Sequence, residues 1–233
     1  MDGAAPDHIS AGPKAGSGPP GRSSRHPARL SARAAATRGR ILGAAMAEFA
    51  ANGLAGARVD EIAARAGANK RMLYAYFGAK EDLWLAALEA AYAAKRAEEE
   101  RLDVTHLPPA EALARLVSFN LRYTARHPEF VALLNQENVH HAIHLRRSAN
   151  VPALYSPLTG RLREVLARGA AEGQFRRDVD PLQLYLSIVA LGHFTVANRH
   201  TLSTIFGTDL GSEAALDARE AHALALVLGY LRP

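Results

Sequence analysis

The 233-residue chain contains no cysteine. Disulfide staples and thiolate metal centres are therefore excluded, and the chain is compatible with a reducing compartment. Lysine is scarce, with Lys14, Lys70, Lys80 and Lys95 the only ones among 28 cations, so arginine carries most of the positive charge. With the abundant alanine, this suggests a GC-rich bacterial genome. Long apolar runs are missing too: the most apolar stretch, Leu182 to Val196, holds Gln183 and His193 and falls short of the roughly 20 residues a membrane span needs. It is expected to be buried by protein, and no membrane association is expected. No apolar core follows a basic start, so a signal peptide is not expected. H-E-x-x-H, a Gly-rich phosphate loop, a G-x-S-x-G elbow and a standout carboxylate pair are all absent, so no catalytic residue and no cofactor are expected.

What is present is ordinary globular composition, 48% hydrophobic and 22% charged. The net charge of +5 is unevenly placed. Within residues 1–40, Lys14, Arg22, Arg25, Arg29, Arg33, Arg38 and Arg40 face only Asp2 and Asp7, so the remaining chain is balanced. Residues 1–35 are mainly Gly, Pro, Ala, Ser and Arg, too polar to offset their ordering entropy, and are expected to be a disordered basic tail. Two readings of Arg22, Arg25, Arg29 and Arg33 stay open: contact with phosphates or a minor groove, or a solvated tail without a role.

Beyond the tail the periodicity is helical. Thr37 is expected to cap a helix with Ile41, Leu42, Ala45, Met46 and Phe49 on one stripe, ending at Asn52-Gly53. Residues 57–83 are the most informative stretch. Val59, Ile62, Ala63 and Ala66 form a short apolar stripe, Gly67 suits a left-handed helix end, and Asn69 suits an N-cap. Leu73 and Phe77 give the second helix one buried edge, while Lys70, Arg71, Met72, Tyr74 and Tyr76 occupy its other face. Cations and phenols on a short helix after a tight turn fit the recognition helix of a helix-turn-helix. The spacing alone also fits a helix pair that only packs.

The run Ile62-Ala63-Ala64-Arg65-Ala66-Gly67, then Leu73-Tyr74, Phe77 and Lys80-Glu81-Asp82-Leu83, resembles the IAxxAGV, LYxxF and SKExL series of the TetR family of bacterial transcriptional regulators. The resemblance covers roughly residues 37–83. It departs twice: Ala57 and Arg58 stand where a hydroxyl usually caps the first helix of the pair, and Arg71 and Met72 stand where a small pair is usual. Bulkier basic residues there imply a different operator.

The resemblance implies an all-α fold: a helix-turn-helix DNA-binding domain over residues 36–79, then a ligand-binding and dimerisation domain over 80–233. It implies a cytoplasmic, ligand-responsive regulator of the repressor type. Such a protein binds a palindromic double-stranded DNA operator as a homodimer and is released by a small-molecule effector. Lys70 and Arg71 are the expected base readers, with Asn69 and Met72 on the same helix. Thr37, Arg58, Tyr74, Tyr76 and Lys80 are expected at phosphates, with Arg38 beside Thr37. Lys80, in a first helical turn where a cation opposes the dipole, has no good structural role on this reading.

In the body, helices are expected from about Lys80 to Arg101, from Pro108 to near His127-Pro128, from Pro128 to about Arg147, from after Pro152 to Gly173, from Pro181 to Val196, and from about Ser212 to Leu231. The resemblance implies that the last two pair with their copies in a four-helix bundle. In the final helix, Arg219 and Glu220 lie opposite the apolar stripe. Polar residues on apolar helices mark the effector site. The candidates are Asn120, Tyr123, Asn138, Tyr155 and His193, with Trp84, Phe119 and Phe194 as apolar walls. Each is as well explained as a satisfied core or interface group. His140, His141 and His144 permit a metal site to be drawn, but none is expected. An all-α small-molecule or metal-binding protein whose N-terminal helices only pack is the alternative.

Overall fold

The computed structural model describes residues 25–150 and 156–233, and its regular structure among those residues is entirely helical. The elements are α1 (Arg25–Gly56), α2 (Val59–Arg65), α3 (Lys70–Phe77), α4 (Lys80–Glu100), α5 (Pro109–Arg126) and α6 (Pro128–Val139). They continue with a 3-10 turn (Leu145–Arg147), α7 (Leu158–Ala171), α8 (Pro181–Ala197), α9 (Arg199–Phe206) and α10 (Glu213–Leu231). Ala36–Pro233 forms the larger of two units, the other ending at Ala35. Among the described residues no helix is long and apolar enough to cross a membrane.

The larger unit has two apolar cores. In the first, Ile41 and Phe49 of α1, Ile62 of α2 and Leu73 of α3 close on Leu83, Trp84 and Leu88 of α4, and Tyr123, Phe130 and Leu133 join from the body. The second surrounds α5, where Leu113, Leu116 and Val117 meet Leu162 and Val165 of α7, Leu184 and Ile188 of α8, and Val227 and Leu231 of α10. Each fully buried leucine contributes about 1.5–3 kcal/mol. α4 therefore belongs to the DNA-side core at its start and to the body further on. Polar clamps add direction: Arg122 of α5 grips Glu213, Asp217 and Glu220 of α10, and the bonds to Asp217 and Glu220 raise its pKa above the usual arginine value.

Several boundaries differ from the sequence expectation. α1 begins at Arg25 rather than at Thr37, because the Ala- and Arg-rich run up to Ala36 is strongly helix-forming and holds no Gly or Pro after Pro27. Thr37 is consequently buried inside the helix instead of capping it, with Arg40 Nη2 donating to its hydroxyl at 3.3 Å. The kink falls where expected, at Gly53 (φ +66°). α6 stops at Val139 instead of running to about Arg147, because the Glu137 carboxylate accepts the backbone N–H groups of His144 and Leu145 and pulls the chain back. The intervening His141 and Ala142 sit at positive φ, a left-handed conformation that non-glycine residues adopt at a cost.

α9 separates the expected terminal helices, so the pair in question is α8 and α10. On α10, Arg219 and Glu220 are half-buried clamps rather than a free solvent face. Arg219 Nε and Nη2 donate to the Leu191 carbonyl of α8 at 3.0 and 2.9 Å, and Glu220 holds Arg122. The expected helix start after Pro152, with Tyr155, lies outside the described residues.

Candidate functional site

The helix-turn-helix is built by local chemistry. α2 ends at Gly67 in the left-handed region (φ +59°), where a Cβ would be strained. Asn69 then starts α3, its side-chain oxygen accepting the Met72 N–H at 2.9 Å. No side chain caps α2, as the Ala57-Arg58 departure implied. The buried Glu48 of α1 substitutes for it: its carboxylate accepts the Arg58 N–H at 3.2 Å and the Asn52 side chain at 2.9 Å, and Arg65 at the other end of α2 lies 3.6 Å away. Arg40 Nε closes the same end by donating to the Ala66 carbonyl at 3.1 Å. Neither anchor is legible from periodicity, because Arg58 and Ala66 lie 10 and 26 residues from Glu48 and Arg40.

With Leu73 buried, α3 turns Asn69, Lys70, Arg71, Tyr74 and Tyr76 outward, while Met72 and Phe77 are half-buried. Lys70 pairs with Asp60 of α2 at 3.2 Å, both groups exposed. Arg58 is exposed beside Glu61 at 4.0 Å. The Arg38 guanidinium lies 5.1 Å over the Phe77 ring, which holds a cation next to α3. Lys80 does have a structural role, against expectation: its Nζ donates to the Ala55 carbonyl at 3.2 Å, near the C-terminal end of α1, where a cation is favourable.

A second constellation lies inside the body. Lys95, Arg96 and Glu99 of α4 are 3%, 8% and 0% exposed, so a segment that reads as a solvated charge run points into protein. Arg96 pairs with Glu99, and Ser156 donates to Glu99 at 2.9 Å. The Lys95 Nζ lies 5.6 Å from the Tyr123 ring centre of α5 and 5.3 Å from that of Phe130 of α6. Tyr92 adjoins both Phe130 and Arg96. His193 of α8 faces the same group, with Nε2 3.2 Å from the Asn135 side-chain oxygen. Burial lowers the Lys95 pKa to about 8 although Glu99 counteracts it, and burial together with Lys95 lowers that of His193. The Tyr123 hydroxyl is pushed up to about 12, chiefly by burial. Both amide atoms of Asn120, Arg96 Nε and Glu99 Oε1 are buried without a hydrogen-bond partner among the described residues.

Between the two constellations sits a clasp. Glu137 accepts from Trp84 Nε1 at 2.8 Å, from His144 Nδ1 at 2.9 Å and from two backbone amides. Burial alone would raise its pKa, but these donors prevail and hold it below the usual carboxylate value. Arg147 reaches Asp82 at 2.5 Å, and Ser148 reaches Glu89. The first turn of α4 is thereby tied to the segment after α6.

Comparison with known proteins agrees with this layout. Residues 41–87 match the family described as bacterial regulatory proteins, tetR family, and residues 109–227 match the tetracyclin repressor-like C-terminal domain. The chain belongs to the TetR family. It is 41% identical over 179 residues to the HTH-type transcriptional repressor NicS of Pseudomonas putida, covering 77% of this chain and 84% of NicS. The HTH-type transcriptional repressor SCO4008 of Streptomyces coelicolor is 30% identical over 195 residues, covering 82% and 95%. Among solved structures, the transcriptional regulator SCO4942 of Streptomyces coelicolor superposes with a TM-score of 0.62 at 26% identity, covering 84% of this chain and 99% of that one. As a TetR protein the chain is a ligand-responsive, DNA-binding transcriptional regulator.

The TetR body distributes the expected effector residues unevenly. Asn120 and Tyr123 lie buried on one face of α5, and His193 joins Tyr123 around Lys95. Asn138, His193 and Phe194 line an open groove of about 570 Å³ between α6 and α8, together with Asn135, Val139 and Ala190. Phe119 and Tyr123 border a separate cleft of about 360 Å³ with Arg115, Arg122 and His127. Two expected walls are not enclosed pocket walls. Trp84 is fully buried in the DNA-side core with its N–H committed to Glu137, because its indole needed a buried acceptor. Phe194 is 59% exposed at the open groove rather than enclosed. Tyr155 lies outside the described residues. His144 is turned inward to Glu137, and among the described residues no three metal-ligating side chains converge. Lys95, Arg96 and Glu99 were missed. Their signal was spacing, since Lys95 and Glu99 follow Leu88 and Ala91 at helical intervals on the buried side of α4.

Proposed function

We propose that this TetR protein is a repressor acting on chromosomal DNA in the cytoplasm, binding a palindromic operator as a homodimer and leaving it when a small molecule enters the body. The observation that carries the DNA reading is the outward face of α3: Asn69, Lys70, Arg71, Tyr74 and Tyr76 exposed around a single buried Leu73. The names of NicS and SCO4008 favour repression over activation.

In this proposal Arg71 and Lys70 read base edges, with Asn69 and Met72 alongside, and two copies of α3 stand about 34–36 Å apart in successive major grooves. The exposed Lys70–Asp60 pair is worth at most about 1 kcal/mol and exchanges readily for a DNA partner. Arg58, Tyr74, Tyr76 and Lys80 touch phosphates, as does Arg38 from the α1 surface, whereas the buried Thr37 cannot. Dimerisation uses α8 and α10. They present Leu182, Leu186 and Phe194, and Leu226 and Tyr230, all 46–59% exposed in the single chain. The effector binds among Asn120, Tyr123 and His193, with Asn138, Phe119 and Phe194 at the margins. It acts by preferring the arrangement that cannot fit DNA, since equal affinity for both shifts nothing.

An electrophoretic shift on the DNA upstream of its own gene, repeated over a salt series, tests the proposal. Wild type binds there with a steep salt slope, and Lys80→Ala flattens that slope by about one phosphate contact. Binding that is absent, or indifferent to sequence and salt, refutes it.

A further inference from the structure

The inner constellation carries one more positive charge than it can neutralise. Lys95 and Arg96 are buried against a single buried carboxylate, Glu99, and that carboxylate pairs with Arg96. Lys95 is left facing the rings of Tyr123 and Phe130. Cation–π contact returns only part of what burying an ammonium costs. A monomeric core gains nothing from such an arrangement that a methionine would not supply better. A binding site does gain from it, because the missing partner can arrive with a ligand.

A second, independent feature points the same way. Asn120 is 0% exposed, and neither its amide N–H group nor its oxygen has a partner among the described residues. It lies one helical turn before Tyr123 on the buried side of α5. Arg96 Nε is another buried donor without a partner among the described residues. Unpaired buried polar groups cost about 1–3 kcal/mol each, so such a set persists where something else satisfies it. His193, which feels the Lys95 charge, and its partner Asn135 line the open groove between α6 and α8.

We propose that the effector of this regulator is a small organic monoanion, a carboxylate, held by the Lys95 ammonium with donors from Asn120 and Arg96. This rests on the reading of the body as an effector site and adds its chemical class. The charge count decides for a monoanion: one negative charge balances Lys95, whereas a phosphate dianion would leave a new buried charge uncompensated. The rings of Tyr92, Tyr123 and Phe130, packed edge to face around Lys95, give the surroundings of the carboxylate an apolar character.

Matched probes test it on the purified full chain without DNA: benzoate against benzamide, and hexanoate against hexanamide, at constant ionic strength, read by thermal unfolding and calorimetry. At least one carboxylate is expected to bind about tenfold more tightly than its amide. Lys95→Met is expected to remove that preference, and Lys95→Arg to retain it. Equal or tighter binding of both amides overturns the proposal, as does a preference that survives Lys95→Met or the lack of carboxylate-specific stabilisation up to about 50 mM. Should Lys95→Met not fold, the wild-type probe pairs and Lys95→Arg still decide. DNA plays no part in this measurement, so a failure here leaves the operator test standing, and a chain that fails on operator DNA can still pass here.

Discussion

Arg71 and Lys95 illustrate how differently a cation can be used within one chain. Arg71 projects from α3 into solvent, where a charge costs nothing and its planar fork is free to meet a guanine edge. Arg71→Ala is expected to compress the affinity difference between the preferred operator and single-base variants by about 1–3 kcal/mol, measured by competition shift assays. Lys95 is held inside at a pKa of about 8 by burial, against 10.5 for a free lysine. Below pH 8 it is charged in both states. Between about 8 and 10.5 the unfolded chain keeps the proton that the folded chain has released, so this group makes stability rise with pH across that window. Tyr123, pushed up to about 12, and Tyr92, also raised by burial, act in the opposite sense as pH approaches 10, the usual tyrosine value, in wild type and variant alike, whereas His193 is shifted downward, below this window. Urea midpoints measured from pH 7 to 10 should rise more in wild type than in Lys95→Met; parallel curves would show that Lys95 is not buried as described.

Helix ends and crossings decide the next scale. α7 approaches the turn after it so closely that a Cβ at Gly169 would lie 2.0 Å from the Phe175 ring. Gly169→Ala is therefore expected to destabilise the body by about 1–3 kcal/mol in urea unfolding, through overpacking rather than helix propensity, which alone would favour alanine. On the DNA side, α4 is held at its start by Trp84–Glu137 and Arg147–Asp82. Glu137→Ala removes the acceptor of the Trp84 N–H and of two backbone amides, and a loss of about 3–5 kcal/mol is expected. Because the clasp ties the helix that follows the recognition helix to the segment after α6, a milder Glu137→Gln should alter how strongly effector weakens operator binding. An unchanged coupling in shift assays with and without effector would assign the clasp to stability alone.

At the scale of the whole molecule, an unpaired apolar face becomes informative. Leu182, Leu186, Leu226 and Tyr230 are about half exposed on α8 and α10, large apolar side chains of the kind that partner surfaces cover. The double variant Leu186→Arg/Leu226→Arg is expected to sediment as a folded monomer with unchanged helical circular dichroism. Operator affinity should fall by orders of magnitude, since one half-site then binds alone. A dimer that survives the double substitution would put the interface elsewhere.

What the sequence determined by itself is what short-range rules control. Gly67 and Asn69 set the turn, Leu73 marks the one buried edge of α3, and the helical stripes fixed the all-α fold, because capping, positive φ and 3.6-residue periodicity act within a few positions. Tertiary structure alone decided where polar side chains find partners. Glu48 replaces a missing cap, Glu137 ends α6 early, Lys80 meets the end of α1, and Lys95, Arg96 and Glu99 turn inward. Each depends on an atom many residues away in the chain, so no local pattern contains it, and burial converts an ordinary surface charge into a site.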